Sequence, residues 1–460
     1  MSSLAFNSLP LQPQLLDTLD SLGYTQMTPI QADSLPAILA GQDVIGQGKT
    51  GSGKTAAFAL GVLSNLQVKR FRVQSLVLCP TRELADQVAK EIRTLARGIH
   101  NIKVLTLCGG MPMGPQIGSL EHGAHILVGT PGRVLDHLQK GRINLEELNT
   151  LVLDEADRML EMGFQEALDS IIGQAPKERQ TLLFSATYPK QIESIASSIT
   201  RKALMVKVEA VHDHSAIRQY FYQVDSREDR DAALAQLLCQ YHPESAVVFC
   251  NTKVEVQTVT DELRYRGFSV VELHGDMEQR ERDQALVQFA NKSKSILVAT
   301  DVAARGLDVD NLDAVFNFEL SRDPEVHVHR IGRTGRAGKQ GLAFSFFSQK
   351  EQYKVALIDE YMDLPIEPAM LPASSGEVSA YDAPMTTLQI DGGKKQKLRP
   401  GDILGALTSE GGLQGTQVGK INVMAMRAYV AVQTNAAKKA LRKIESGKMK
   451  GRSFRARILR

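Results

Sequence analysis

"TLVLDEAD", residues 150–157, is the stretch on which the fold turns. The run Leu151-Val152-Leu153 has the composition of a strand buried on both faces, the signature of a parallel sheet, and it ends in Asp154, Glu155 and Asp157. Carboxylates so close repel one another, and taking any of them out of water is costly. One acid after a strand reads as a solvated turn. A group like this one calls for a cation or a reacting group opposite it.

Working outward, similar runs recur between helical patterns: "SLVLCPT" (75–81), "HILVGTP" (125–131) and "TLLFSAT" (181–187). That alternation implies parallel βα units with helices on both sheet faces. The pattern pauses near "VKVEAVHDHSAIRQYF" (206–221) and resumes with "AVVFCNT" (246–252), "SVVELHG" (269–275), "SILVATD" (295–301) and "AVFNFEL" (314–320). We expect two α/β domains in tandem, over 1–208 and 216–363. Open parallel sheets bind ligands outside the carboxyl ends of their strands, so the polar residues closing these runs mark the site. "LPIEPAMLPASSGEVSAYDAP" (364–384) reads as a linker, 364–385. Beyond it, 386–460 has the order β-α-β-β-α-β of a ferredoxin-like, RRM-type α+β domain. There Asn435 is the expected N-cap and Gly447 the stop of the last helix.

Composition narrows the class. The chain has 460 residues, 43% of them apolar, and no run approaches the ~20 apolar residues of a membrane span. "MSSLAFNSLPLQPQ" lacks the basic and apolar regions of a signal peptide. Cys79, Cys108, Cys239 and Cys250 lie far apart with no C-x-x-C spacing. That spacing argues against zinc and disulfides and for a reducing cytoplasm. Residues 386–460 hold sixteen Lys or Arg and four Asp or Glu, a net +12, which leaves −10 for residues 1–385 out of the overall +2. A basic module on a mildly acidic body points to nucleic acid.

"GKTGSGKT" (48–55) fits G-x-x-x-x-G-K-[ST] between a strand and a helix. The backbone of Gly48, Lys49, Thr50, Gly51, Ser52 and Gly53 would cradle phosphates. Lys54 would reach the outer phosphates and Thr55 would hold Mg²⁺. A P-loop domain completes its metal site with an acid at a second strand end. Asp154 is assigned there, Glu155 to orienting and deprotonating water, and Asp157 to pairing with a neighbouring motif. The reaction is NTP hydrolysis. "HRIGRTGRAG" (329–338) then offers Arg333 and Arg336 as arginine fingers from the second domain.

At this point the ordered set "GYTQMTPIQ" (23–31), "PTRELADQ" (80–87), "TPGR" (130–133), "DEAD", "SAT" (185–187), "ATDVAARGLD" (299–308) and "HRIGRTGR" resembles the DEAD-box RNA helicases from Phe6 to residue 360. The family commonly has Ala where Gly48 stands, and Gly fits the general loop pattern. The resemblance implies Gln31 on the adenine edge, Phe6 stacking on the base, Asp308 near the ribose, and ATP as the nucleotide. It implies Ser185 and Thr187 coupling hydrolysis to strand separation through Asp157 and His329. RNA contacts would come from Arg82, Gly109, Gly110, Thr130 and Arg133 in the first domain, and from Thr252, Gln279, Arg282 and Thr300 in the second.

The tail, with "IDGGKKQKLRPGDILGAL", is similar to that of the bacterial DbpA group of these proteins, which implies a 23S rRNA hairpin as target and a role in large-subunit assembly. Tyr429 is the only aromatic on its expected RNA-facing strands. Lys394, Lys395, Lys397, Arg399, Lys448, Lys450 and Arg452 are therefore expected to clamp structured RNA. The expected molecule is a cytoplasmic monomer that unwinds short duplexes locally. An ATP-gated RNA clamp or annealer, and a DNA helicase of the same superfamily, are the rival readings.

Overall fold

The computed structural model describes residues 5–48, 51–208, 217–304, 312–335, 340–373 and 380–459. Lys49, Thr50, Asp308 and Arg336 lie outside them. The chain forms two compact units, the first carrying one sheet and the second carrying two.

The first sheet comprises β1 (Val44–Gln47), β2 (Ser75–Leu78), β3 (Val104–Leu107), β4 (Ile126–Gly129), β5 (Thr150–Asp154), β6 (Gln180–Ser185) and β7 (Leu204–Lys207). The second comprises β8 (Ile217–Gln223), β9 (Ala246–Cys250), β10 (Val270–Leu273), β11 (Ile296–Thr300), β12 (Ala314–Asn317), β13 (Gly341–Phe347) and β14 (Pro368–Ala369). Their orders, β3-β4-β2-β5-β6-β1-β7 and β10-β11-β9-β12-β13-β8-β14, are the same order seven strands later. Every pairing in both is parallel.

All eight apolar runs read from the sequence are strands. The central ones, such as β5 and β9, are buried along their whole length, because helices cover both faces. The pause at 206–221 takes in the end of β7 and most of β8, whose charged and polar residues mask the apolar signal. Likewise the segment read as a linker, 364–385, includes β14, which pairs with β8, and the start of the next strand. Two residues of strand are too short to give a sequence period.

The last sheet is antiparallel, in the order β16-β17-β15-β18, built from β15 (Met385–Ile390), β16 (Val418–Val423), β17 (Ala428–Gln433) and β18 (Ala456–Ile458). Leu388, Ile390, Ala428, Val430 and Val432 face the helices Pro400–Thr408 and Ala437–Ser446 in one core. Gly447 ends the last helix as expected, but Ala436 is its N-cap. Asn435 lies inside a preceding 3-10 turn.

Cys79, Cys108 and Cys250 are buried and Cys239 is half-buried, all as free thiols. No described helix is long and apolar enough to cross a membrane.

Close packing fixes β1 on β6. A Cβ on Gly46 would lie 2.5 Å from two ring carbons of Phe184. Gly46→Ala is therefore expected to destabilise the first unit by about 1–3 kcal/mol, read as a lower thermal midpoint for that unit with the second unit unchanged.

Candidate nucleotide and RNA sites

The carboxyl ends of the strands divide each sheet in two. In the first unit the P-loop follows β1, Asp154 closes β5 and Ser185 closes β6, which are neighbours in the sheet. Arg82, Gly109-Gly110 and Thr130 follow β2, β3 and β4, the neighbouring group.

The loop is shaped by two left-handed glycines, Gly51 (φ 81°) and Gly53 (φ 95°). A side chain on Gly53 would also collide with Gln31 Nε2 and Thr28 Oγ1, at 2.5 and 2.7 Å from its Cβ. Gln31 accepts from the Thr28 N–H (2.9 Å) and donates to the Gly53 carbonyl (3.0 Å), tying the expected adenine reader to the loop itself. Ser52 Oγ is buried and makes no hydrogen bond, an orphan suited to a phosphate oxygen. Lys54 begins the helix Lys54–Ser64, is 6% exposed, and donates to the Gly48 carbonyl across the loop. Thr55 follows it in the first turn. Phe6, in contrast, is 4% exposed within the core, edge-on to Tyr24 at 6.2 Å. Little of its ring is exposed for a base to stack on.

Asp154 is 3% exposed at the end of β5. Burial pushes its carboxyl up to about 7, Glu155 adds to the rise, and Lys54 opposes it. A buried acid that resists ionisation is the partner a divalent cation would reward. With Ser52 orphaned nearby in the loop, the donor set fits ATP with Mg²⁺, held by Thr55 and Asp154. Glu155 sits in left-handed backbone (φ 52°, ψ 53°), a conformation costing a non-glycine residue about 1–2 kcal/mol. Such strain concentrates at functional sites. Asp157 accepts from both the N–H and the hydroxyl of Thr187 at 2.9 Å, while its own N–H donates to Ser185 Oγ at 3.3 Å. The acidic strand end and the "SAT" segment are thus mechanically joined.

The RNA candidates of the first unit come together. The Gly109 N–H meets Thr130 Oγ1 at 3.4 Å, and Arg133 donates to the Met111 carbonyl at 3.1 Å. Arg82 heads the helix Arg82–Leu95 and lines a cavity of about 290 Å³ with Asp86, Arg93 and Met111.

The second unit repeats the division. Thr252 follows β9, Thr300 closes β11, and the helix Gln279–Ala290, which carries Gln279 and Arg282, follows β10. The helix Pro324–Ile331, with His329 in its last turn and Arg333 just beyond, follows β12.

Sequence reasoning left Arg330 without a role. The structure buries it (2% exposed) with its N–H groups directed at Asp301 Oδ1 and Oδ2 (both 2.7 Å), Asn251 Oδ1 (2.9 Å), the Glu319 carbonyl (2.6 Å) and Asn317 Oδ1 (3.4 Å). Its partners Asp301 and Asn251 adjoin Thr300 and Thr252. In the sequence Arg330 stands between His329 and Ile331 in the last turn of its helix, and no local pattern singles it out because its partners lie far apart in the chain.

In the last domain Lys394, Lys395, Lys397, Arg399, Lys448, Lys450 and Arg452 are exposed. Lys450 bonds the Lys397 carbonyl at 2.9 Å and so holds the two basic turns together. Tyr429 is corrected: it is 2% exposed and is not available to stack on a base.

Comparison with known proteins follows this geometry. Residues 28–195 match the DEAD/DEAH box helicase model, 229–338 the helicase conserved C-terminal domain, and 387–458 the DbpA RNA binding domain. The chain belongs to the DEAD-box ATP-dependent RNA helicases. It is 54% identical to the ATP-dependent RNA helicase DbpA of Escherichia coli (strain K12), over 99% of this chain and all of that one. It is 44% identical to the DEAD-box ATP-dependent RNA helicase CshA of Geobacillus kaustophilus, over 75% of this chain and 74% of that one. Among solved structures it is similar to S. cerevisiae Dbp5 bound to RNA and ADP BeF3, with TM-score 0.73 and 30% identity over 80% of this chain and 96% of that one.

Two outcomes follow from the geometry. Asp154→Asn should abolish ATP hydrolysis yet raise the thermal midpoint of the nucleotide-free protein by a few degrees at pH 8, because it removes a buried charge. Arg330→Gln should lower the stability of the second unit by about 3 kcal/mol, the cost of orphaning buried partners, and Arg330→Lys should restore only part of it because an ammonium cannot reproduce the fork. Thermal melts of each variant check both.

Proposed function

We propose that this ATP-dependent RNA helicase locally unwinds short duplexes and is directed by its C-terminal domain to 23S rRNA during assembly of the large ribosomal subunit, acting as a cytoplasmic monomer with Mg²⁺. The observation that supports the reading is the strand-end division: among the described residues, the groups proposed for nucleotide and those proposed for RNA follow separate sets of neighbouring strands in each RecA-like sheet. The Asp157–Thr187 bonds lie between the acidic strand end and the coupling segment.

In this reading Lys54 neutralises the outer phosphates and Glu155 takes a proton from the attacking water. Bound Mg²⁺ would supply charge neutralisation at Asp154 and Thr55. Arg333 and Arg336 would stabilise the charge that develops on the transferred phosphoryl group, which makes hydrolysis depend on both units. ATP and single-stranded RNA each favour the same engaged state and so favour each other's binding. Backbone contacts carry the core's RNA binding, so the core is indifferent to sequence. Target choice falls to the basic turns at 394–399 and 448–452. An ATP-gated clamp uses the same groups, and strand displacement separates it from a helicase.

Glu155→Gln should retain ATP and RNA binding while reducing turnover at least a hundredfold, measured by phosphate release and by an RNA complex that persists with ATP. Deleting 386–460 should leave a basal ATPase stimulated equally by all RNAs. ATPase rates against a panel of 23S rRNA fragments check this, and preference that survives the deletion would overturn the assignment of the tail.

A further inference from the structure

The carboxyl ends of the first sheet carry the groups described above, and its amino ends carry a second set. β3, β4, β2 and β5 lie side by side in the sheet. The four loops that lead into them, 99–103, 119–125, 65–74 and 140–149, therefore form one continuous border. Backbone bonds join them: the Gln74 N–H to the His125 carbonyl at 2.9 Å, the His125 N–H to the Lys103 carbonyl at 3.0 Å, and the Asn149 N–H to the Gln74 carbonyl at 2.9 Å. The border holds six Lys or Arg (Lys69, Arg70, Arg72, Lys103, Lys140 and Arg142) and three Glu (Glu121, Glu146 and Glu147). That net +3 stands against −10 for residues 1–385 as a whole.

At the centre of the border is "KRFR", residues 69–72, all four exposed. Buried side chains hold this loop in shape. Gln74, 2% exposed, accepts from the Gln67 N–H (2.9 Å) and donates to the carbonyls of Gln67 (2.9 Å) and Arg70 (2.6 Å). His125 is fully buried and accepts from the Lys103 N–H on Nδ1 at 3.1 Å, which leaves the Nε2 proton for the Val68 carbonyl at 3.0 Å. The same imidazole meets Phe71 edge-on, with 4.6 Å between ring centres. Gly123 makes room for the phenyl ring: its backbone is left-handed (φ 69°), and a Cβ there would lie 2.7 Å from a ring carbon. Even so, Phe71 is 42% exposed.

A solvated basic turn needs neither a fixed backbone nor a phenyl ring in water. Glu147 faces Arg70 at 3.7 Å and Arg72 at 3.9 Å. Exposed pairs of this kind contribute only about 0–1 kcal/mol, so a phosphate can displace the carboxylate. Cations flanking an aromatic ring suit single-stranded RNA, whose phosphates meet the charges while a base stacks on the ring. A loop already held in shape spares the ligand much of the ordering cost. The loop is also remote from the RNA groups assigned above. Arg82 follows the opposite end of β2, and the four residues of that strand span about 13 Å.

We propose that residues 69–72 form a second RNA-binding site on the first unit, which holds RNA running on from the strand bound at the carboxyl ends. Lys69, Arg70 and Arg72 take phosphates, and Phe71 takes one base. The site adds affinity without base preference, because a phenyl ring accepts the face of any base. RNA long enough to reach both ends of the sheet is then gripped at two points of one unit.

The chain has no tryptophan, so Phe71→Trp gives the full chain a single indole whose fluorescence falls when a base stacks on it. The probes are the shortest oligouridine that fully stimulates the ATPase and the same strand lengthened at either end. A lengthened strand should quench the indole and the short one should not. Replacing Lys69, Arg70 and Arg72 together by Gln should weaken binding of the lengthened strand about tenfold or more and lower the slope of log affinity against log salt by about 2, at ~0.7 per phosphate. Binding of the short strand, and the ATPase it stimulates, should match wild type. Phe71→Ala should weaken the lengthened strand about fivefold or more. Quenching by neither strand or by both, or a lengthened strand held as tightly by the triple variant as by wild type, would overturn the proposal. Quenching by polyglutamate and not by RNA would overturn it in favour of an acidic protein partner. Should Phe71→Trp not fold, the affinities of the triple variant decide alone.

Discussion

Negative charge held out of water at a strand end is the constraint on which the first unit is built. Asp154 closes a strand that is buried throughout, so its carboxylate is ill-solvated when ionised and needs positive charge close by. The Lys54 ammonium on the neighbouring loop opposes the rise in its pKa. The loop in turn holds its shape through two left-handed glycines and the Gln31 bond to the Gly53 carbonyl. Nucleotide recognition, loop geometry and the acidic strand end are one connected device. A ligand bringing phosphates and a cation satisfies groups that folding alone leaves costly.

The second unit solves the opposite problem on the same strand order. Its buried ion is a cation, Arg330, and folding alone satisfies it, with Asp301, Asn251, Asn317 and the Glu319 carbonyl around the guanidinium. One unit buries a charge that folding alone leaves costly, and the other uses a buried charge as a fastener. The fastener ties the ends of β9, β11 and β12 to the helix that precedes Arg333. The helix end that leads to Arg333 cannot shift without moving residues next to Thr252 and Thr300.

The third sheet shows how a familiar architecture is redeployed. Its order β16-β17-β15-β18 is that of many RNA-binding domains, yet its open face meets protein. Gly392 and Gly393 let its loops approach closely: a Cβ on either would lie 2.3 Å from a Phe454 ring carbon or the Met424 carbonyl. The basic turns stay outside, facing solvent.

Much was written in the sequence. Short apolar runs ending in polar residues announced eight parallel strands, since a strand buried on both faces must be apolar throughout. The P-loop, the acidic strand end and the order of motifs were legible because phosphate chemistry demands particular residues at particular spacings. Strands that lack an apolar run were not legible: β8 is rich in polar residues, and β14 is two residues long. Tyr429 was legible as an aromatic on an outer face, and only tertiary structure decided that this face is covered. The role of Arg330 was decided the same way, because its partners come from three strand ends far apart in the chain. Local pattern specifies which groups are present and which way a strand faces. What lies opposite that face depends on contacts between distant segments, which no local period encodes.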